Sequence, residues 1–332
     1  MVGYEDMHFR GPCPHEPPAH TGNCSDLNFR RLARQNSGCE NSIFFRTQTH
    51  EKYSRRYLIR NFEQIALRKN HQQPIVLHEE ITLPPGKKLY FASDFHLGVP
   101  DAASSRQREA KIIRWLESIE GSAHMVFVVG DIFDFWFEYK HVIPKGFVRL
   151  QGKLAELVDG GVPVVFFTGN HDMWMFDYFP SELGIPVFRE PQQYLVNGKS
   201  LLVGHGDGLG PGDGTYKLLK KVFANPLSQW LFARLHPGVG VGIATAWSRR
   251  SRITNTAKGE EKFKGDGEWL WTYCKEMERQ QHRDFYVFGH RHLPLELPVG
   301  ATARYINLGE WVNHCTYAVF DGQNMGLHTF EN

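Results

Sequence analysis

Phe166-Phe-Thr-Gly-Asn-His-Asp172 is an apolar run that breaks at a glycine and ends in three polar side chains able to bind metal or move protons. Four other stretches share its form: Ser93-Asp-Phe-His-Leu-Gly98, Val129-Gly-Asp-Ile-Phe-Asp134, Val203-Gly-His-Gly-Asp207 and Phe288-Gly-His-Arg-His292. A short apolar run closed by a turn reads as the C-terminal tip of a buried strand. The five tips carry Asp94, His96, Asp131, Asn170, His205, His290 and His292, with His171 beside them. Carboxylate, amide and imidazole donors in one set suit two hard-to-borderline divalent cations. The set predicts a two-metal centre for phosphoester chemistry.

Working outward, the intervals between tips support an α/β architecture. Asp94, Asp131, Asn170 and His205 are separated by 37, 39 and 35 residues. Each interval fits one strand–helix–strand unit of about 30 or more residues, which returns the chain to the same edge of a sheet. Helices are expected over Arg106–Ile119, where Ile112, Ile113, Leu116 and Ile119 recur at helical spacing, and around Phe147–Val158. Upstream, Ile75–Leu83 and Lys88–Asp94 read as two strands joined by Pro84-Pro-Gly86 in a hairpin. Downstream, Arg304–Leu308, Thr316–Phe320 and Met325–Phe330 read as strands that complete a second sheet, the last two joined at Asp321-Gly322.

The interval from His205 to His290 is 85 residues, so something is inserted, over about 209–283. Between Thr215 and Gly265 stand ten Lys or Arg against two Glu. Leu218, Leu219, Val222, Phe223, Leu227, Trp230, Leu231, Phe232 and Leu235 are interleaved with them. Two helices broken at Asn225-Pro226 are expected, with Pro237-Gly238 ending the second and Gly238–Ile243 a flexible turn. A further helical part spans Lys262–Gln281. Some of these residues must form the insertion's own core. Basic and aromatic residues beside a phosphate site also predict a cap that faces substrate or membrane.

The remaining chain is less specific. Residues 1–72 are rich in Arg, Asn, Gln, Ser and His without sustained periodicity, which predicts a disordered extension ahead of a domain over 73–332. The first residues carry acids and prolines where a signal peptide would carry an apolar core, so a cytoplasmic protein is expected. Cys13, Cys24, Cys39, Cys274 and Cys315 are odd in number and lack CxxC spacing, a pattern of free thiols rather than a disulfide framework or a zinc knuckle. A net charge of +2 over 332 residues argues against a general nucleic-acid binder. Arg249-Arg-Ser-Arg252 is too short to indicate a specific nucleic-acid site. No feature of the chain points to a protein partner.

Two cations held a few ångströms apart need an anionic bridge, and Asp131 suits that position. Asp94 and His96 can reach one metal from a single strand tip. His290 and His292 stand in the same i, i+2 relation, and Asn170 with His205 would complete the second metal.

In this order, D-x-H, GD-x-x-D, GNHD, GHGD and GHRH resemble the calcineurin-like metallophosphoesterase superfamily over about residues 88–312. The resemblance implies a four-layer αββα sandwich with an inserted helical cap. It implies one metal on Asp94, His96 and His292, the other on Asn170, His205 and His290, Asp131 bridging and His171 catalytic. Gly130–Trp136, the GHGD-x-L opening and the cap are more narrowly similar to the UDP-2,3-diacylglucosamine diphosphatase family of lipid A synthesis. That likeness implies substrate contacts from Asn170, His171, Asp213, Ser251, Asn255, Lys258 and His290. It implies two manganese ions, hydrolysis of an acylated UDP-sugar to UMP and an acylated glucosamine 1-phosphate, and peripheral association with the inner face of the inner membrane. The best-known members carry Arg where this chain carries His171, and an imidazole adds capacity as a general acid. Hydrolysis of a soluble nucleotide or phosphoprotein is the alternative, and a scaffold without activity a third.

Overall fold

The strands lie where β-branched and aromatic residues run together. The computed structural model describes residues 77–211, 214–257 and 262–331, with backbone alone at residues 77, 78, 215, 249 and 251–257. The extension read over residues 1–72 lies outside the described residues. In chain order the first elements are β1 (Leu77–Ile81), β2 (Lys88–Ala92), α1 (Ala102–Ile119), β3 (Ala123–Val129), α2 (Val148–Asp159) and β4 (Val164–Phe167). There follow α3 (Tyr178–Glu182), β5 (Val187–Phe188), β6 (Gln192–Val196), β7 (Lys199–Gly204), α4 (Gly214–Ala224), α5 (Pro226–Phe232) and α6 (Pro237–Ala257). The chain closes with α7 (Trp269–Gln280), β8 (Phe285–Phe288), β9 (Pro294–Val299), β10 (Ala303–Leu308), β11 (Thr316–Phe320) and β12 (Met325–Thr329).

The strands make two six-stranded sheets, ordered β1-β6-β7-β8-β10-β9 and β12-β11-β2-β3-β4-β5. Side-chain alternation along each strand gives the layering. In the second sheet Ala92, Val126, Val128, Val164 and Phe166 pack with Ile112, Trp115, Leu116, Leu150 and Leu154 of α1 and α2. The opposite residues face the first sheet, where the Phe127 ring meets Tyr194 at 5.0 Å and Phe320 meets Phe285 at 5.6 Å. The outer face of the first sheet puts Leu202, Tyr286, Phe288 and Tyr305 against Leu270 and Cys274 of α7. Four layers result, helix–sheet–sheet–helix, as the family resemblance implies. α7 lies within the stretch read as an insertion, yet it supplies the fourth layer.

Three local expectations are corrected. Pro84-Pro-Gly86 does not close a hairpin: β1 pairs in parallel with β6, while β2 pairs with β3 in the other sheet. Loop composition signals a turn, but the partner is chosen by the apolar faces that must be buried. The sequence Asn197-Gly198 is the hairpin turn, joining β6 and β7 with φ of 49° and 81° at its two residues. Of the three C-terminal strands, β10 joins the first sheet beside β8, whereas β11 and β12 extend the second beside β2.

The third correction falls in the insertion. Gly238–Ile243 are helical, because Pro237 opens α6 instead of ending its predecessor. Proline is pre-shaped for the first helical position, and His236 Nδ1 accepts from Gly238 N at 3.2 Å. Gly240 is there for close approach: a Cβ would sit 2.5 Å from the Tyr139 hydroxyl and 3.1 Å from Phe232. No described helix is long and apolar enough to cross a membrane.

Candidate metal centre

The site forms where the two sheets present their strand ends. Past the end of β2, Asp94 N donates to Gly130 O at 3.0 Å and His96 N to Asp131 O at 2.9 Å. Gly289 N donates to His205 O at 3.0 Å on the other sheet, and Trp311 N to Asp94 O at 3.1 Å joins the sheets. The parallel ladder therefore continues into the loops and fixes their register. The first two intervals each return the chain to the same sheet. The third does not: between Asn170 and His205 the chain crosses to the other sheet, so the tips converge from both sides.

Asp94, His96, Asp131, His290 and His292 all have left-handed backbones, with φ between 44° and 68°. For residues other than glycine that conformation costs roughly 1–2 kcal/mol each. It turns successive side chains at a strand end toward one point, and the hydrogen bonds above hold it. Glycine is required beside them. A Cβ on Gly169 would lie 2.7 Å from Asp131 N, so only glycine lets the GNHD loop approach the Asp131 loop.

The donors are close and largely buried. His96 Nε2 and His292 Nε2 face each other at 3.0 Å, with Asp94 Oδ1 3.1 Å from the latter and 3.6 Å from the former. Asp131 Oδ2 lies 3.8 Å from His96 Nε2 and 3.4 Å from His205 Nε2, so one oxygen faces both groups of imidazoles. Ligand atoms of Asp94, His96, Asp131 and His292 fall within 4.8 Å of one another, as do those of Asp131, His205 and His290. The remaining valences of these groups are already used. Asp94 Oδ2 accepts from Ser93 Oγ at 2.5 Å and His290 N at 3.0 Å. Asp131 Oδ1 accepts from His171 N at 2.8 Å, and the His205 Nδ1–H reaches Val129 O at 2.9 Å. Asp94 Oδ1, Asn170 Oδ1 and His205 Nε2 are buried without a hydrogen-bond partner. Buried polar atoms left without partners at one point are what a cation would satisfy. The residues present fit two divalent ions.

Charge supports the same view. Burial pushes His96 down to about 4 despite Asp94, and burial reinforced by His205 pushes His290 down to about 4. Both rings are thus neutral donors near pH 7, as ligation requires. Burial would also raise Asp131, but His205, His171 and His96 hold it well below the usual carboxylate range. For His205 burial is outweighed by Asp131, and the ring is pushed up to about 10. A cation placed beside Asp131 takes over the work of that proton.

A ring of carboxylates supports the loops. Asp172, absent from the predicted set, is fully buried; it accepts from Ile132 N at 2.7 Å and Gly169 N at 2.8 Å, tying the GD and GNHD loops together. Asp134 lies 3.5 Å from His171 Nδ1 and 3.9 Å from His96 Nδ1. Asp207 accepts from Tyr216 Oη and Lys220 Nζ of α4, each at 2.8 Å. Arg291, between His290 and His292, pairs with buried Glu268 at the start of α7. The final aspartates of GD-x-x-D and GNHD were visible in the sequence; only their partners show that they brace loops.

The predicted substrate residues of the insertion divide. Asp213 and Lys258 lie outside the described residues. Ser251 and Asn255 fall on α6 where only the backbone is described. Of the apolar set, Leu227, Trp230 and Leu231 are exposed, whereas Phe232 packs against Phe137 at 4.8 Å and Trp174 at 4.7 Å. Among the described residues ten of thirteen exposed large apolar side chains lie between Leu218 and Phe263. Trp174 Nε1 donates to Phe223 O at 2.9 Å across the same seam.

Comparison with known proteins agrees with this geometry. The calcineurin-like phosphoesterase family model matches residues 87–294. UDP-2,3-diacylglucosamine hydrolase of Porphyromonas gingivalis (strain ATCC BAA-308 / W83) is 38% identical over 257 residues, 74% of this chain and 98% of that protein. The protein of the same name from Edwardsiella ictaluri (strain 93-146) is 29% identical over 245 residues, 73% of this chain and 90% of its own length. That from Aeromonas hydrophila subsp. hydrophila is 28% identical over 229 residues, covering 67% and 89%.

Proposed function

Since the chain belongs to the calcineurin-like phosphoesterase family of metal-dependent hydrolases, we propose that it hydrolyses the pyrophosphate of UDP-2,3-diacylglucosamine, releasing UMP and an acylated glucosamine 1-phosphate. The observation that carries this reading is the 38% identity spanning 98% of the Porphyromonas gingivalis hydrolase of that name. One metal is assigned to Asp94, His96 and His292, the other to Asn170, His205 and His290, with Asp131 between them. When bound, two divalent ions supply Lewis-acid polarisation of phosphoryl oxygens and a nucleophile at neutral pH. We assign manganese as the physiological ion on family resemblance.

The chain's own residues do the rest. His171 is the catalytic side chain that meets the departing group, and its backbone N–H already orients Asp131. Asn170 and His290, on facing sheets, bracket the substrate phosphates. In the cap, Asp213, Ser251, Asn255 and Lys258 hold the substrate. Spacing supports the pairing of the middle two, since residues four apart in a helix are neighbours on one face. The exposed apolar residues of α4–α6, with Lys217, Lys221 and Arg234 among them, favour an acyl chain and an anionic membrane surface. The site of action is then the cytoplasmic face of the inner membrane.

A second reading has one observation in its favour. His171 can protonate a poor leaving group, which a sugar phosphate does not need and an alkoxide does. A soluble phosphodiester or phosphoprotein would use it fully. Mass spectrometry of products from UDP-2,3-diacylglucosamine with manganese decides: UMP and the acylated sugar phosphate are expected. Turnover of a soluble diester with none of the UDP-lipid would replace the first reading by the second.

A further inference from the structure

Among the described residues, His171 Nδ1 has three oxygen neighbours. The Asp134 carbonyl lies at 3.1 Å, Asp134 Oδ1 at 3.5 Å and Ser248 Oγ at 3.1 Å. A carbonyl can only accept, and so can a carboxylate. Ser248 Oγ lies 3.0 Å from Asp134 Oδ2 and donates its single proton there, which leaves the hydroxyl oxygen only lone pairs to offer His171. Each of these three neighbours asks for a proton, so Nδ1 carries one whether the ring is neutral or charged. Nε2 is the nitrogen left to exchange a proton with the reacting group.

Ser248 comes from α6, 77 residues away from His171, and is only 5% exposed. It is a buried hydroxyl on a helix whose Val239, Ile243 and Trp247 are exposed. The same helix is packed closely at the aromatic seam, where Gly240 approaches Tyr139 and Phe232. We propose that Ser248 is a positioning residue by which the cap holds His171 in the Nδ1–H tautomer, with Nε2 aimed at the leaving group. This rests on the reading of His171 as the proton donor. The consequence is specificity: full acid catalysis is available only when α6 is seated, so leaving groups that need a proton depend on the cap more than acidic ones do.

The test begins with unaltered protein. Nitrogen-15 NMR of histidine-labelled, zinc-loaded protein should show His171 as the Nδ1–H tautomer; an Nε2–H tautomer overturns the proposal. Next, kcat and KM are measured for soluble phosphodiesters with p-nitrophenyl and alkyl leaving groups. Ser248→Ala should lose about tenfold in kcat on the alkyl ester and less than twofold on the p-nitrophenyl ester, the size of one lost orienting hydrogen bond. Ser248→Thr, which keeps the hydroxyl, should recover most of the loss. Equal losses on both esters, or none, would mean that Ser248 only packs. If Ser248→Ala does not fold, Ser248→Cys keeps the volume with a poor acceptor and must show the same selective loss; full activity there sinks the idea. His171→Ala, run alongside, separates the two levels. A loss independent of leaving group in that variant refutes the histidine as acid. A dependence in His171→Ala that is absent in Ser248→Ala refutes the Ser248 inference alone.

Discussion

The metal loops and the cap treat their side chains in opposite ways. At the strand tips Asp94, Asp131 and His205 are almost fully buried, and nearly every hydrogen-bonding valence of theirs is used or aimed at one point. On α4–α6, Leu218, Leu227, Trp230, Leu231 and Trp247 are more than half exposed. On the proposed function, the difference follows from what each region recognises. Cations and phosphoryl oxygens need donors preset to tenths of an ångström, so the tips store strained backbones and brace them with Asp172 and Asp134. Acyl chains need area more than direction, and an open apolar face provides it. The two regions nevertheless meet at defined places: Lys220 with Asp207, Ser248 with Asp134, and the Phe232 seam.

The contrast can be broken most sharply at Asp131. Asp131→Asn keeps the shape and removes the charge facing both imidazole groups. Turnover should fall by more than ~10³-fold, comparable to removal of a principal electrostatic group, with the circular dichroism spectrum unchanged. Near-normal activity with two metals bound would reject the bridging assignment. The next effect in size belongs to His171→Arg. It should leave substantial activity on the UDP-lipid, where a cation suffices, and lose about 10²–10⁴-fold on an alkyl diester, where a proton is needed. Equal collapse on both substrates across pH 6–9 would show that leaving-group acidity is not what distinguishes histidine from arginine here.

The cap half of the comparison makes a smaller prediction, and the structure sharpens it. Leu227, Trp230 and Leu231 are exposed, so changing these three to Ser should raise KM for acylated substrate about tenfold and leave Tm nearly unchanged. Phe232→Ala, by contrast, opens the seam and should cost ~3 kcal/mol of stability before it affects KM. A triple mutant as damaging to a short soluble diester as to the lipid would remove the acyl-binding role.

The smallest effect concerns acid stability without metal. His96 and His290 sit at about 4 in the folded protein, below the ~6.5 of an unfolded histidine. As pH falls the unfolded chain takes up these protons first, so their contribution is full above pH ~6.5 and is lost toward 4. Buried Asp172, pushed up to about 7 by burial and by Asp131, takes up its proton in the folded state over the same window and offsets part of that loss. The difference between variants is therefore the readout: the melting temperature of chelator-treated His290→Asn should fall less steeply between about pH 6.5 and 4 than that of the parent, and parallel profiles would contradict the buried, neutral state of His290.

Much of this protein was legible in its sequence. Chemistry announces itself through residue types that have few other reasons to cluster, and Asp94, His96, Asp131, His205, His290 and His292 all converge as their strand-tip motifs imply. The helices over Ile112 and Leu154 and the hairpin at Asp321-Gly322 follow from local periodicity and turn chemistry. What tertiary structure alone decided is partnership. Which sheet takes β1, β10 or β11 depends on burying one apolar face against another, a long-range choice that no turn dictates. The same holds for Gly238–Ile243, whose glycines suggest a loop until Tyr139 and Phe232 explain the close approach. Ser248 is the clearest case. Its neighbours in sequence carry no sign of catalysis, and only the docking of α6 brings its hydroxyl to His171 and Asp134.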